Sequence, residues 1–258
     1  MRLIIKPTPT DAGIFAAHEI AKKINAFHPT PLKPFVLGLP TGSTPLFTYA
    51  ELIKLYQSGS LSFQNVITFN MDEYLGLDAH DKQSYHYFMH QNLFNHIDIQ
   101  KQNIHILNGL ALSPEEECEN YEKAILKAGG IHLFLGGVGE DGHIAFNEPF
   151  TPFSSRTHIQ ELDEDTIRVN SRFFDFDLSK VPTHALTVGI QTITDANEVM
   201  ILAFGPKKAE AVCQSLEGKI SEACPLSVLQ NHKNALLICD EEAASKLHPQ
   251  TKVRFAVS

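Results

Sequence analysis

The sequence predicts a three-layer α/β domain built on a mostly parallel sheet, and two observations carry that prediction. Six short apolar runs, each bounded by turn residues, lack the polar alternation of a strand with one wet face. Between them lie segments whose apolar residues recur at helical spacing, so strands and helices alternate along the chain. With 258 residues, 43% of them hydrophobic, the chain has the material for a packed core.

The elements follow in order. Asp11–Phe27 is the first helix, with Ile14, Ala17, Ile20, Ala21 and Ile24 on one face. Phe35–Leu39 (FVLGL) is a buried strand, followed by a helix over Thr44–Gln57. Val66–Asn70 (VITFN) is the next strand, followed by a helix over Tyr85–Asn95. The helix Pro114–Ala128 starts on a proline, which the first turn tolerates because its N–H would be unpaired there anyway. The strand runs Ile131–Leu135, Ala185–Val188, Glu198–Phe204 and Ala235–Cys239 complete the set. A helix over Pro206–Leu216 joins the last two. No repeat, low-complexity tract or long linker divides the chain, which reads as a single domain, 1–258.

Charge and composition exclude several classes. Lys plus Arg is 21 against 30 Asp plus Glu, a net charge of −9, so the surface repels nucleic-acid backbones and anionic membranes. The longest apolar runs, such as Val199–Phe204, fall far below the ~20 residues of a spanning helix. The opening MRLIIKPTPT lacks the apolar stretch of a signal peptide. Cys118, Cys213, Cys224 and Cys239 are widely spaced, with no CxxC pair, and read as reduced thiols of a cytoplasmic protein. His86 and His90 stand four apart on a helix, yet no HExxH or zinc-type spacing occurs, so no metal is expected.

In parallel α/β sheets ligands bind beyond the carboxyl ends of the strands. After Phe35–Leu39 comes a hydroxyl-rich loop, Pro40-Thr41-Gly42-Ser43-Thr44-Pro45, entering a helix. It is either an anion cradle or a turn capped by Ser and Thr. After Val66–Asn70 comes Met71-Asp72-Glu73-Tyr74, a candidate general base or an N-cap. Neighbours in an extended chain point to opposite sides, so at most one of the two carboxylates faces a pocket. After Ile131–Leu135 comes GGVGEDGHIAFNEP, Gly136 to Pro149. Gly137, Gly139 and Gly142 spell GxGxxG, but Pro149 cuts short the helix that a dinucleotide-binding turn opens. Asp141, His143 and Glu148 form either an acid–base device or the polar residues of a tight turn. Arg172 among aromatics and Lys208 beyond Glu198–Phe204 are surface charges or anion contacts.

LGLPTGSTP, VITFNMDEYLGL, IHLFLGGVGEDGHIAFNEP and NSRFF together, in this order and spacing, closely resemble the glucosamine-6-phosphate deaminase family. The resemblance runs to about Glu241. It implies a Rossmann-like domain with a small active-site lid, roughly residues 157–187. It implies conversion of D-glucosamine 6-phosphate and water to D-fructose 6-phosphate and ammonia, with no cofactor, in amino-sugar catabolism. By matching positions, Asp72 is the base between C2 and C1, His143 opens the ring, and Asp141 and Glu148 hold that histidine. Thr41, Gly42, Ser43, Thr44, Arg172 and Lys208 hold the phosphate and sugar. Both monomeric and hexameric members exist, so a homo-oligomer is one expectation. Members activated by N-acetylglucosamine 6-phosphate carry serine, arginine, lysine and tyrosine where this chain has Thr151, His158, Gln160 and Arg254. Weak or absent activation is therefore expected. Three rivals remain at this stage: a 6-phosphogluconolactonase-like hydrolase sharing the phosphate loop, a sugar-phosphate sensor without activity, and a nicotinamide-dependent dehydrogenase.

Overall fold

The computed structural model describes residues 1–255, without the side chains of Asp165, Phe173, Arg254 and Phe255. Its elements run β1 (Arg2–Lys6), α1 (Pro9–Phe27), β2 (Phe35–Leu39), α2 (Leu46–Gln57), β3 (Val66–Asn70), β4 (Asp72–Tyr74) and α3 (Tyr85–Asn92). β5 (Ile104–His105), α4 (Pro114–Lys127), β6 (Leu133–Gly137), β7 (His158–Glu161), α5 (Glu164–Asn170) and β8 (His184–Thr187) follow. The chain continues through α6 (Ile190–Thr194), β9 (Glu198–Ala203), α7 (Ala209–Glu217), β10 (Ala235–Asp240) and α8 (Pro249–Phe255).

Seven strands form one sheet in the order β1-β10-β9-β6-β2-β3-β5, every neighbouring pair parallel. Both faces are buried, and the period of two sorts the side chains between them. Phe35, Leu37, Leu39, Leu236 and Ile238 pack against α1 and α2 through Ala16, Ile20, Tyr49 and Leu52. Val36, Leu237 and Cys239 face the opposite layer, where Tyr121, Ile125, Val212 and Leu216 from α4 and α7 cover them. The mostly parallel three-layer architecture is thus the one expected.

Strand order reverses between β2 and β6. From β2 the chain builds outward through β3 and β5; from β6 it builds the other way through β9 and β10. A crevice opens at such a switch point, because the two loops leaving adjacent strands diverge to opposite sides. Here those loops are residues 40–45 and 138–143.

Two expectations need correction. Ala185–Val188 is a strand, shifted by one to β8, but it belongs to a separate three-stranded antiparallel sheet, β4-β8-β7, instead of the parallel sheet. Its Ala185 and Leu186 are buried because that small sheet is sandwiched between the main core and a satellite core of Tyr74, Phe146, Leu162, Phe174 and Val181. The run read as Ile131–Leu135 is β6, displaced two residues into the glycines, since β9 continues pairing as far as Gly137. Shorter differences occur at helix ends: residues 94–96 and 206–208 form 3-10 turns beside α3 and α7.

Candidate active site

The carboxyl ends of β2, β3, β6 and β9 converge on one cleft with two connected parts. The inner part, about 210 Å³, is lined by Thr41, Asp72, Tyr74, Tyr85 and His143 among others. The outer part, about 900 Å³, is lined by Ser43, Asp141, Arg168, Lys207 and Lys208 among others. Thr44, Gly139, His143, Asn170 and Arg172 border both.

The loop after β2 is held from below. The Tyr49 hydroxyl of α2 donates to the Pro40 carbonyl at 2.5 Å, and Met71 N–H donates to Leu39 O at 3.0 Å. Gly42 takes φ +86°, a left-handed conformation in which a Cβ would be strained. α2 starts after Pro45 with no side-chain cap, so the capped-turn reading of Ser43 and Thr44 is overturned. Both residues line the cleft, beside the open N-terminus of a helix.

Asp72 and Glu73 open β4, directly after β3, and the extended chain sends them apart. Asp72, only 7% exposed, lines the inner cleft. Its Oδ1 has no hydrogen-bond partner among the described residues. Burial, with the neighbouring Glu73 charge, pushes its pKa up to about 8, while the Thr41 hydroxyl pulls the other way. Glu73 points away and caps α3. Its Oε1 accepts from Tyr74 N and Tyr85 N at 2.8 and 2.9 Å, and its Oε2 accepts from His86 N at 2.8 Å.

The loop after β6 curls into a tight turn with no helix before β7, so a dinucleotide-binding turn is absent from the described residues. The His143 ring lies over Gly139 so closely that a Cβ there would sit 2.2 Å from the imidazole. Asp141 flanks the same histidine. Its Oδ1 is 2.8 Å from His143 Nδ1, on an oblique approach, and accepts the His143 backbone N–H at 3.1 Å. Burial pushes the Asp141 pKa up, but the hydrogen bonds and charge of His143 outweigh it and bring it down to about 2.

Glu148 departs from expectation. Its carboxylate accepts the Asp163 N–H at 3.2 Å, at the start of α5, and shows no contact with His143 in this structure. Burial raises its pKa. It thus joins the 138–157 loop to the segment after β7 instead of bracketing the histidine opposite Asp141.

Among the described residues four cations line the outer cleft, Arg168, Arg172, Lys207 and Lys208. Arg172 sits in the 3-10 turn after α5, and Lys208 precedes α7. Burial lowers the Lys208 pKa, while Glu140 and Asp141 act in the opposite sense. Of the effector-position residues, His158 is engaged locally: its Nδ1 bonds Arg156 O at 2.8 Å and its Nε2 meets Gln160 Oε1 at 3.2 Å. The Arg254 side chain lies outside the described residues.

Sequence reasoning missed Tyr74 and Tyr85 as cleft walls. Their rings are 4.8 Å apart, and Tyr85 stacks on Phe146 at 6.2 Å. An aromatic residue directly after two strand-end carboxylates was the available signal for Tyr74; only the fold brings Tyr85 to it.

Residues 7–238 match the family described as glucosamine-6-phosphate isomerases/6-phosphogluconolactonase. The chain is 57% identical over 255 residues to a glucosamine-6-phosphate deaminase of Treponema denticola, spanning 99% of this chain and 94% of that protein. It is 55% identical over 255 residues to one from Phocaeicola vulgatus, spanning 99% and 97%. Among solved structures, a monomeric glucosamine-6-phosphate deaminase superposes with TM-score 0.90 at 43% identity, over 95% of this chain and 99% of that one. A 6-phosphogluconolactonase from Trypanosoma cruzi superposes with TM-score 0.74 at 20% identity, over 95% and 96%, a likeness of fold alone.

Proposed function

Because the chain belongs to the family of glucosamine-6-phosphate isomerases and 6-phosphogluconolactonases, we propose that it carries out the reaction its full-length relatives are named for. It converts D-glucosamine 6-phosphate and water to D-fructose 6-phosphate and ammonia. The observation that carries this reading is the polarity of the cleft. A buried carboxyl with a bare oxygen stands at the inner end, cations stand at the outer end, and a histidine borders both.

The phosphate occupies the junction of the two parts, against Arg172, Lys208 and the loop Thr41–Gly42–Ser43–Thr44. A dianion there restores the proton affinity that burial takes from Lys208. The sugar then reaches inward past His143. That ring moves a proton from the anomeric hydroxyl to the ring oxygen, which opens the pyranose. Asp141 holds it, supported by the 2.8 Å contact. Asp72, ionised, takes the C2 proton while the substrate ammonium gives a proton to the C1 carbonyl oxygen, leaving an enolamine, and Asp72 then returns its proton to C1. Water adds to the resulting C2 iminium, and ammonia leaves. C1 gains the electrons that C2 loses, so no external oxidant enters the balance. Glu148 acts on the histidine when the residue 157–187 segment closes, that segment being the lid. A cytoplasmic setting and a phosphorylated amino sugar as the one small-molecule partner complete the reading. Among the described residues no helix is long and apolar enough to cross a membrane, and four cysteines are unpaired.

The test measures ammonia and fructose 6-phosphate released by the purified chain, with Asp72→Asn beside it. Equal release of both, abolished in the variant, is expected. Hydrolysis of 6-phosphogluconolactone that survives Asp72→Asn, without deamination, overturns the reading in favour of the lactonase. Light scattering of the same preparation decides between monomer and hexamer. A dose series of N-acetylglucosamine 6-phosphate is expected to raise the rate weakly or not at all, supported by the local bonding of His158.

A further inference from the structure

We propose that Glu73 is a positioning residue of this reaction, acting through Asp72 and Tyr85 by tying the strand that carries the base to the first turn of α3. The inference rests on the deaminase reading of the cleft.

The geometry is unusually complete for a side chain that never reaches the cleft. Glu73 is 2% exposed, and its Cγ packs under the chain at Gly109, where an added Cβ would lie 3.4 Å away. It satisfies two of the four amide N–H groups that a helix N-terminus leaves unpaired, those of Tyr85 and His86. Ser84 accounts for the other two, its hydroxyl accepting from Tyr87 N and its own N–H donating to Asp81 O at 3.0 Å. A carboxylate at this position also meets the positive end of the helix. The same three residues, Asp72 to Tyr74, pair antiparallel with β8. Glu73 therefore locks together the parallel sheet, the small sheet and α3, at the point where Asp72 emerges.

Two consequences reach the reacting end. First, Tyr85 begins α3 and lines the inner cleft, so the bond to its N–H fixes where its ring stands against Tyr74 and Phe146. A misplacement of about 1 Å near reacting atoms costs on the order of 100-fold in rate. Second, Glu73 is a like charge next to Asp72. It raises the proton affinity of the base, and burial pushes its own pKa up to about 7 against the pull of the three N–H donors. The other titratable groups around Asp72 are Tyr49 from α2, Tyr74 on its own strand, Tyr85 from α3 and Tyr121 from α4, with Lys82, His143 and Arg172 lining the same inner cleft. Asp81 faces Glu73. All four tyrosines have raised pKa values and stay neutral where Asp72 titrates, which leaves Glu73 as the acidic neighbour that adds to burial in raising its pKa.

The experiment compares wild type, Glu73→Gln and Glu73→Asp. It reads deamination kinetics across pH, the melting temperature, and the Asp72 carboxyl titration by carbon-13 NMR. Glu73→Gln removes the like charge and offers an amide where two acceptors are needed. The Asp72 titration and the acid limb of kcat/KM are expected to move to lower pH, and the plateau kcat to fall about 10–100-fold. The KM is expected to hold, since the phosphate contacts lie elsewhere. Glu73→Asp keeps the charge and shortens the reach; kcat is expected to fall with the Asp72 titration unmoved. An Asp72 titration identical in wild type and Glu73→Gln, or a loss of melting temperature with kcat and pH profile intact, overturns the proposal. Should wild type release no ammonia, the deaminase reading fails instead. The NMR titration still tests the coupling of the two carboxyls, because it does not depend on turnover.

Discussion

The two ends of the cleft hold aspartates in opposite states. Asp72 at the inner end is buried beside a like charge with one oxygen unpaired, and its pKa is pushed up to about 8. Asp141 at the outer end is partly exposed, its side chain 41% accessible, and His143 brings its pKa down to about 2. Environment therefore sorts two identical side chains into two jobs. One is a carboxyl whose proton comes and goes near neutral pH; the other is a permanent anion that holds a histidine. Divergent titration of this kind marks acid–base assignments in a site.

The comparison breaks most severely when Asp72 is neutralised. Asp72→Asn is expected to lower kcat by about 10²–10⁴-fold, the range of a general base, measured as ammonia release. The same change is expected to stabilise the protein. A carboxyl whose folded pKa is raised contributes stability that is full below its unfolded value and is lost as pH rises through about 8. The variant lacks that loss, so its melting temperature should exceed wild type at pH 9, with the gap closing toward pH 4. A variant that melts lower than wild type at pH 9 contradicts the burial account.

Asp141→Asn tests the other half. Losing a charged hydrogen bond to His143 costs about 1.5–3 kcal/mol, or about 10–100-fold in kcat. Asp72 should keep its titration, because the two carboxyls lie at different ends. An Asp72 titration that shifts in this variant would join the two ends into one network.

A pH profile sharpens the contrast without mutation. Asp72 must be ionised, so kcat/KM should be lost as pH falls through its free-enzyme value. The substrate ammonium, once bound, favours the carboxylate, so the acid limb of kcat should lie at lower pH than that of kcat/KM. Coincident limbs would remove Asp72 from the proton transfer. Smallest is Lys208→Met at the outer end, expected to raise KM by about tenfold, one charge-assisted contact, with kcat nearly unchanged. A fall in kcat alone would place Lys208 in the chemistry instead of the phosphate site.

Legibility in the sequence followed burial and locality. β2, β3 and β10 are unbroken apolar runs between two helical layers, and their ranges read almost residue for residue. β1 is an edge strand, Arg2 to Lys6, with charged ends and one neighbour, so it carries no such run. β8 is as apolar as a central strand, and nothing in four residues tells which sheet it joins. Asp72, Asp141, His143 and the 41–44 loop were visible because each follows a strand directly. Glu148 and Glu73 were not resolvable, because their partners, Asp163, Tyr85 and His86, are assembled by the fold.

The pairing of β1 with β10 bears on how the protein is made. Its register joins Arg2 to Leu236 and Lys6 to Asp240, so β1 has no sheet neighbour until β10 has left the ribosome. At about 5–20 residues per second that wait is roughly 10–50 s. During it β2, β3 and β6 can pair, while β1 and the apolar face of α1 that packs on Ile238 stay uncovered. Closing so long a loop is entropically costly, and it delays the last strand of the sheet. β1 and the α1 face that packs on β10 are therefore the parts of the nascent chain left open longest to chaperones and to aggregation.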